Sequence, residues 1–261
     1  MDGKTVRKAR ISRDNTFLIV PMDHGVTVGA VKGLEDMNEI VSKVSSHCSA
    51  VLFHKGIAMN VATEKLQGTG CIVHLSASTS FSLDGNRKVM VGSVLDAVRL
   101  GADAVSVHVN VGGCDTEPEM LEDLGRIASA CVDAGMPLLA MMYARGTHIT
   151  DSLDAQNISH VARIGAELGA DIVKCNYTGS PETFREVTKK CPVPVVIAGG
   201  PKVSTDRELL EMVAGCMEAG GKGISIGRNV FQHQHPDLIT AALSQIIFEN
   251  RTVDEALEVV T

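Results

Sequence analysis

The chain lacks the features that mark several protein classes. It has no excess of basic residues: 24 Lys and Arg stand against 31 Asp and Glu, a formal charge of −7 at pH 7. Affinity for nucleic acid comes largely from Lys and Arg on phosphates, so this balance argues against a nucleic-acid partner. A small anionic ligand held by a few local donors remains compatible with it. No apolar run approaches the ~20 residues of a membrane span, and no membrane association is expected. The segment from Met1 to Asp14 is polar and basic, without the apolar stretch of a secretory signal. There is no Cys-x-x-Cys pair among the seven cysteines, whose number is odd and whose positions are scattered, so a reduced, cytoplasmic protein is expected. No linker-like composition divides the chain, which reads as a single domain over residues 1–261.

What is present is average in amount and regular in order. Hydrophobic residues make up 44% and charged residues 21% of the chain, enough for a sizeable core. Short β-branched runs alternate with longer amphipathic ones. The runs start at Phe17, Ala50, Cys71, Ala104, Leu138, Asp171, Val193 and Gly223. Helical patterns follow them, among them Leu34–Ser46, Ser93–Leu100, Pro118–Ala134, Leu153–Leu168, Thr205–Ala219 and Asp237–Glu249, while a long polar loop runs through Asn86. Ser180 before Pro181 and Ser204 before Thr205 suit helix starts. Gly101, Gly135, Gly169 and Gly220 suit helix ends. The phrase Leu100-Gly-Ala-Asp-Ala104 recurs as Leu168-Gly-Ala-Asp-Ile172, with a looser third case at Ala219–Gly223, and suggests one shared helix-to-strand junction. Eight such units predict an α/β fold of the (β/α)8 TIM-barrel type.

In such a barrel the reactive groups stand at the C-terminal ends of the strands. Lys174 is the outlier there. Alternation puts it on the face of Ile172, toward the barrel interior. Burial disfavours an ammonium ion, and a neutral amine attacks carbonyls to form a Schiff base. The structural alternative is a buried lysine paired with a carboxylate, and Lys55, beside a glycine at another strand end, is a competing nucleophile. Tyr143, one of two tyrosines, offers a phenol for proton transfer, or a ring that caps a barrel layer. Asp23 offers a general base or a helix cap. Gly199 and Gly200 end the seventh strand, and Gly227 and Arg228 the eighth, where many barrels bind phosphate; Lys202 is a possible assistant. His24, His54, His74 and His108 fall near strand ends and make a divalent cation conceivable, although His74 and His108 also suit barrel layers. His233 and His235 read as surface residues.

These residues carry a family resemblance. The chain is similar to the archaeal-type class I aldolases, the group that holds fructose-bisphosphate aldolase and 2-amino-3,7-dideoxy-D-threo-hept-6-ulosonate synthase. The matching segments are Met22-Asp-His-Gly25, His54-Lys-Gly56, His74-Leu-Ser-Ala-Ser-Thr79, Val105-Ser-Val-His-Val-Asn110, Ala140-Met-Met-Tyr143, Asp171-Ile-Val-Lys174, Ala198-Gly-Gly-Pro-Lys202 and Gly227-Arg-Asn-Val-Phe-Gln-His233. The third and fifth lean toward the synthase branch. The resemblance implies Lys174 as Schiff-base lysine, Tyr143 as proton donor and Asp23 as proton acceptor. It implies Gly199, Gly200, Gly227 and Arg228 in phosphate loops, with His24 and Arg145 as further substrate contacts. It implies no metal or other cofactor. The substrates would be a phosphorylated deoxy-diulose and L-aspartate semialdehyde, on a route to 3-dehydroquinate and the aromatic amino acids. Cleavage of fructose 1,6-bisphosphate, and joining of the same aldehyde to dihydroxyacetone phosphate in secondary metabolism, are the alternatives; a non-catalytic sugar-phosphate binder would not need Lys174. Family members form ring-like decamers, so a homo-oligomer is expected. The chain departs from the family pattern at Met141, Ala144, Cys175 and Asn176.

Overall fold

A computed structural model describes residues 2–260. Eight parallel strands form the closed barrel: β1 (Phe17–Pro21), β2 (Ala50–His54), β3 (Gly70–His74), β4 (Ala104–Val111), β5 (Leu138–Ala144), β6 (Ile172–Cys175), β7 (Val195–Ala198) and β8 (Gly223–Ser225). Each strand pairs with its sequence neighbours, and β1 pairs with both β8 and β2 to close the ring. Both faces of every strand are covered, which is why the strands are continuous apolar runs rather than alternating ones.

Two cores result. Even-numbered positions of β1 (Leu18, Val20) and their counterparts pack outward against the helices. The other parity fills the barrel, with Phe17, Ile19, Leu52, Ile72, Ala104, Leu139, Ile172 and Val196 all buried. Each such large apolar side chain contributes ~1.5–3 kcal/mol by leaving water. The outer helices start on side-chain caps: Asp36 on Glu39, Asp154 on Asn157, Ser180 on Thr183, and a reciprocal Thr205–Glu208 box. Gly101, Gly135, Gly169 and Gly220 all take positive φ after helices, as their positions predict.

The helix bounds differ slightly from the periodicity reading. The first barrel helix starts at Met37 rather than Leu34, because Asp36 supplies the cap. The loop after β3 is not structureless. Ser76–Ala77 pairs antiparallel with Val89–Met90, so an arm folds over the barrel mouth and carries Lys88 with it. His233 is half-buried rather than on the surface, because its Nε2 pairs with Asp206 Oδ1 at 3.0 Å.

Candidate active site

Strand register decides which side chains meet. Met141 on β5 lies opposite Lys174, and Lys174 opposite Val196. Lys174 shares the parity of Ile172, so it points into the barrel, where it is 7% exposed. Tyr143, two residues beyond Met141, shares that interior parity at the next level up. Both open on a cleft of about 100 Å³ lined also by Pro21, His24, Arg145, Asn176, Ala198, Gly199, Gly200, Ser225, Gly227, Arg228 and Asn229. Lys174, Tyr143, His24, Arg145 and the four residues of the β7 and β8 loops therefore come together as the sequence predicts.

Asp23 does not line this cleft; it lines a neighbouring hollow with His54, at the cap position of the short helix His24–Val28. It makes no side-chain cap bond there, so its carboxylate is not spent on the helix. It faces His24 Nδ1 at 3.5 Å and His74 Nε2 at 3.8 Å. Burial would raise its pKa, but attraction by His74, His24, Lys174 and His54 outweighs this and holds it below the ordinary carboxylate value. Asp23 is thus an ionised acceptor at neutral pH. Burial pushes His74 down to about 4, against the pull of Asp23, so its imidazole is neutral there. His24 is also lowered, first by burial and then by Lys174 and Arg228 against the pull of Asp23.

The β7 and β8 loops are built by close packing. A Cβ on Gly227 would meet Pro21 O at 2.6 Å and the His24 ring at 2.7 Å, so only glycine lets the chain pass. Arg228 Nη2 donates to Gly200 O at 2.7 Å and Asn229 Nδ2 to Gly199 O at 3.1 Å. Asn229 was not singled out from sequence. It is buried and also accepts from Val203 N at 3.0 Å, so one amide stitches the two loops together. Its position next to Arg228 was the available signal. Lys202 donates to Gln232 O at 3.1 Å and serves the same stitching.

A polar network joins His74 and His108 along β3 and β4. His74 Nδ1 lies 2.7 Å from Ser106 Oγ, and Ser76 Oγ accepts from His108 N at 2.9 Å. His108 Nε2 meets Asn110 Oδ1 at 2.9 Å, and its ring leans on Tyr143 at 4.8 Å between centroids. His54 packs edge-on against His74. Among the described residues no His, Cys, Asp or Glu trio is arranged to hold a metal ion. Lys55 does not enter the cleft: it is exposed and reaches Asp96 Oδ2 at 3.5 Å.

An amine with no hydrogen-bond or ion-pair partner among the described residues, a phenol one layer above it and an ionised carboxylate next to His24 suit a barrel enzyme that makes and breaks carbon–carbon bonds through an imine. A family model described as DeoC/LacD family aldolase matches residues 17–233. The chain belongs to this aldolase family, and it is an enzyme of the class I, Schiff-base-forming type. It is 44% identical to a 2-amino-3,7-dideoxy-D-threo-hept-6-ulosonate synthase of Halobacterium salinarum over 98% of this chain and 95% of that protein. It is 40% identical to a 2-amino-4,5-dihydroxy-6-oxo-7-(phosphonooxy)heptanoate synthase of Streptomyces griseus over 90% of this chain and 86% of that one. A solved archaeal fructose-1,6-bisphosphate aldolase, described with its catalytic Lys covalently bound to a carbinolamine, superposes with a TM-score of 0.85 at 30% identity, covering 94% of this chain and 99% of that one.

Proposed function

We propose that the chain is a transaldolase-type 2-amino-3,7-dideoxy-D-threo-hept-6-ulosonate synthase whose reaction runs through Lys174. The observation that carries the reading is the placement of Lys174: buried, aimed into the barrel, and opening on the same cleft as Gly199, Gly200, Gly227 and Arg228. Lys174 Nζ bonds to the ketone carbon of a phosphorylated deoxy-diulose, and Tyr143 supplies the proton that carries the carbinolamine oxygen away as water. Asp23 takes the proton from the hydroxyl of the neighbouring fragment. The carbon–carbon bond then breaks, its electron pair enters the imine to form an unphosphorylated enamine, and the other fragment, which keeps the phosphate, leaves as an aldehyde. The enamine carbon bonds to the aldehyde carbon of L-aspartate semialdehyde, Asp23 returns the proton to the new alkoxide, and water releases the product from Lys174. The β7 and β8 loops would hold phosphate through backbone N–H groups and Arg228, with His24 and Arg145 as further substrate contacts. The whole activity rests on the one barrel.

The product would enter an alternative route to 3-dehydroquinate. The free state of the cysteines supports a cytoplasmic setting; the family resemblance supports a homo-oligomer. No described helix is long and apolar enough to cross a membrane. Fructose-1,6-bisphosphate cleavage is the second reading, supported by the superposed aldolase.

The test is borohydride trapping joined to a substrate panel. The deoxy-diulose phosphate, dihydroxyacetone phosphate and fructose 1,6-bisphosphate are each offered with and without L-aspartate semialdehyde. The expected result is a reduced adduct on Lys174 and a seven-carbon amino acid from the first donor. Cleavage of fructose 1,6-bisphosphate with no use of aspartate semialdehyde would install the second reading. An adduct on Lys55 would remove Lys174 from its role.

A further inference from the structure

We propose that His74 is a positioning residue for the catalytic base: Ser106 locks it into the tautomer that carries its proton on Nε2, and that N–H holds the Asp23 carboxylate in place for proton transfer. The inference rests on the reading of Asp23 as proton acceptor given above.

Strand register builds the contact. His54, His74 and Ser106 occupy paired positions on β2, β3 and β4. His74 shares the parity of Ile72, and Ser106 that of Ala104, so both point into the barrel. His74 is 5% exposed and Ser106 is fully buried. His74 lines neither the Lys174 cleft nor the hollow that holds Asp23. It therefore acts on substrate through another group.

Asp23 is the group that needs it. A base that takes a proton and later returns it must keep one carboxylate oxygen aimed at the reacting hydroxyl. The helix that follows Asp23 gives its carboxylate no cap bond. Imidazoles face it instead: His24 Nδ1 lies 3.5 Å from Oδ1, and His74 Nε2 lies 3.8 Å from Oδ2. His24 lines the cleft and His74 is buried, so Oδ2 is the oxygen to anchor and Oδ1 the one left for proton transfer. The 3.8 Å separation closes by a small rotation of the carboxylate, as catalytic hydrogen bonds tighten when substrate binds.

The tautomer follows from hydrogen-bond accounting. Ser106 Oγ lies 2.7 Å from His74 Nδ1. If Nδ1 held the proton, the buried Ser106 hydroxyl would lack an acceptor among the described residues, and two acceptors, Nε2 and Asp23 Oδ2, would face each other. With Ser106 donating to Nδ1, the ring carries its N–H on Nε2. Ser76 Oγ, 3.4 Å from the same nitrogen, already accepts from His108 N at 2.9 Å, and the carboxylate is the stronger acceptor of the two. Burial first, against the pull of Asp23 and with His54, Lys174 and Lys88 in support, keeps a second proton off the ring. His24, His54 and Lys174 complete the charges around Asp23.

The experiment is a double-mutant cycle of His74→Leu and Asp23→Asn, with His74→Gln and Ser106→Ala beside it. The substrate is the deoxy-diulose phosphate, or fructose 1,6-bisphosphate where that is the donor that labels Lys174. Each variant is read by kcat, KM, borohydride trapping and a thermal melt. His74→Leu is expected to lower kcat by roughly 10–100-fold, the worth of a hydrogen bond to a charged group, with KM and trapping at Lys174 nearly unchanged. His74→Gln keeps an N–H in the place of Nε2 and should recover most of the rate. Ser106→Ala should show the same split at a smaller size. In the Asp23→Asn background His74→Leu should cost little more, because the two residues act as one unit. A full second loss in that background would overturn the proposal. So would trapping that falls in step with kcat, or a Gln variant as slow as the Leu variant; either would make His74 a packing residue. Unchanged kcat in Ser106→Ala would overturn the tautomer assignment. Wild-type turnover in Asp23→Asn defeats the reading of Asp23 itself, whereas a slow Asp23→Asn beside a His74→Leu of wild-type rate defeats the positioning role alone.

Discussion

The two ends of the barrel handle charge in opposite ways. At the N-terminal end the two acids of the helix-to-strand junctions, Asp103 and Asp171, are both paired. The recurring Leu-Gly-Ala-Asp phrase places Asp103 and Asp171 at the entries to β4 and β6. Asp103 Oδ2 accepts from Cys71 N at 3.0 Å and its Oδ1 meets Arg10 Nε at 2.6 Å. Asp171 Oδ2 accepts from Leu138 N at 2.8 Å and meets Lys4 Nζ at 2.9 Å. Each acid thus accepts an N–H at the start of the preceding strand and pins the N-terminal helix Gly3–Arg10 beneath the barrel. The looser third case, Lys222, keeps only the backbone half of the arrangement, donating to Val195 O at 2.8 Å. At the C-terminal end Lys174, Lys88, Arg145 and Arg228 lack an ion-pair partner among the described residues, and neutral imidazoles line the wall. Paired charge at the floor stabilises the fold; unpaired charge at the mouth costs stability and leaves groups free to act.

This contrast predicts that the two ends fail differently. The largest effect belongs to the mouth. Tyr143→Phe keeps the ring over Lys174 and removes the hydroxyl, so turnover should fall by roughly 10²–10⁴ while the melting temperature holds. Comparing kcat with a thermal melt on one preparation checks this; a parallel drop in both would make Tyr143 a packing residue.

The next effect is acid sensitivity. His74 has a folded pKa of about 4 against an ordinary value of 6.5, so between those values the unfolded chain binds the extra proton. The corresponding stability is fully present above about pH 6.5 and lost as pH falls to about 4, a loss of about 3 kcal/mol from this group. Asp23, lowered as well, adds a loss in the same direction at still lower pH, as the pH falls through its folded value. Urea titrations at pH 7 and pH 4.5 test this, with His74→Gln expected to flatten the dependence. A slope unchanged in that variant would place the acid sensitivity elsewhere.

The smallest effect belongs to the floor. Asp103→Ala leaves the N–H of Cys71 without its side-chain partner and frees Arg10. The expected cost is about 1–3 kcal/mol of stability, with kcat per folded molecule unchanged. A fall in kcat with stability intact would show that the floor is coupled to the chemistry and would break the comparison.

Most of the barrel was legible because its periodicities are local. The short β-branched apolar runs, the glycine stops and the Ser and Thr caps are short-range features, and they locate all eight strands. Lys174 and Tyr143 were legible for the same reason, since a charged or phenolic side chain in a run that is otherwise apolar stands out. The arm bearing Lys88 was not legible. Its pairing of Ser76 with Met90 joins short polar segments that carry no pattern of their own. Nor was Asn229, whose three bonds all go to the neighbouring loop.

The amino-acid order therefore determined by itself the eight units, the parity that turns Lys174 inward, and the glycines without which the mouth could not close. Only the tertiary structure decided which groups share the cleft. Closing the sheet brings β3 and β5 within electrostatic reach across the mouth, sets His74 beside Asp23, and draws Lys55 away to Asp96. The reason is physical: hydrogen-bond periodicity acts over a few residues, whereas desolvation and Coulomb attraction act between whichever groups the closed ring places side by side.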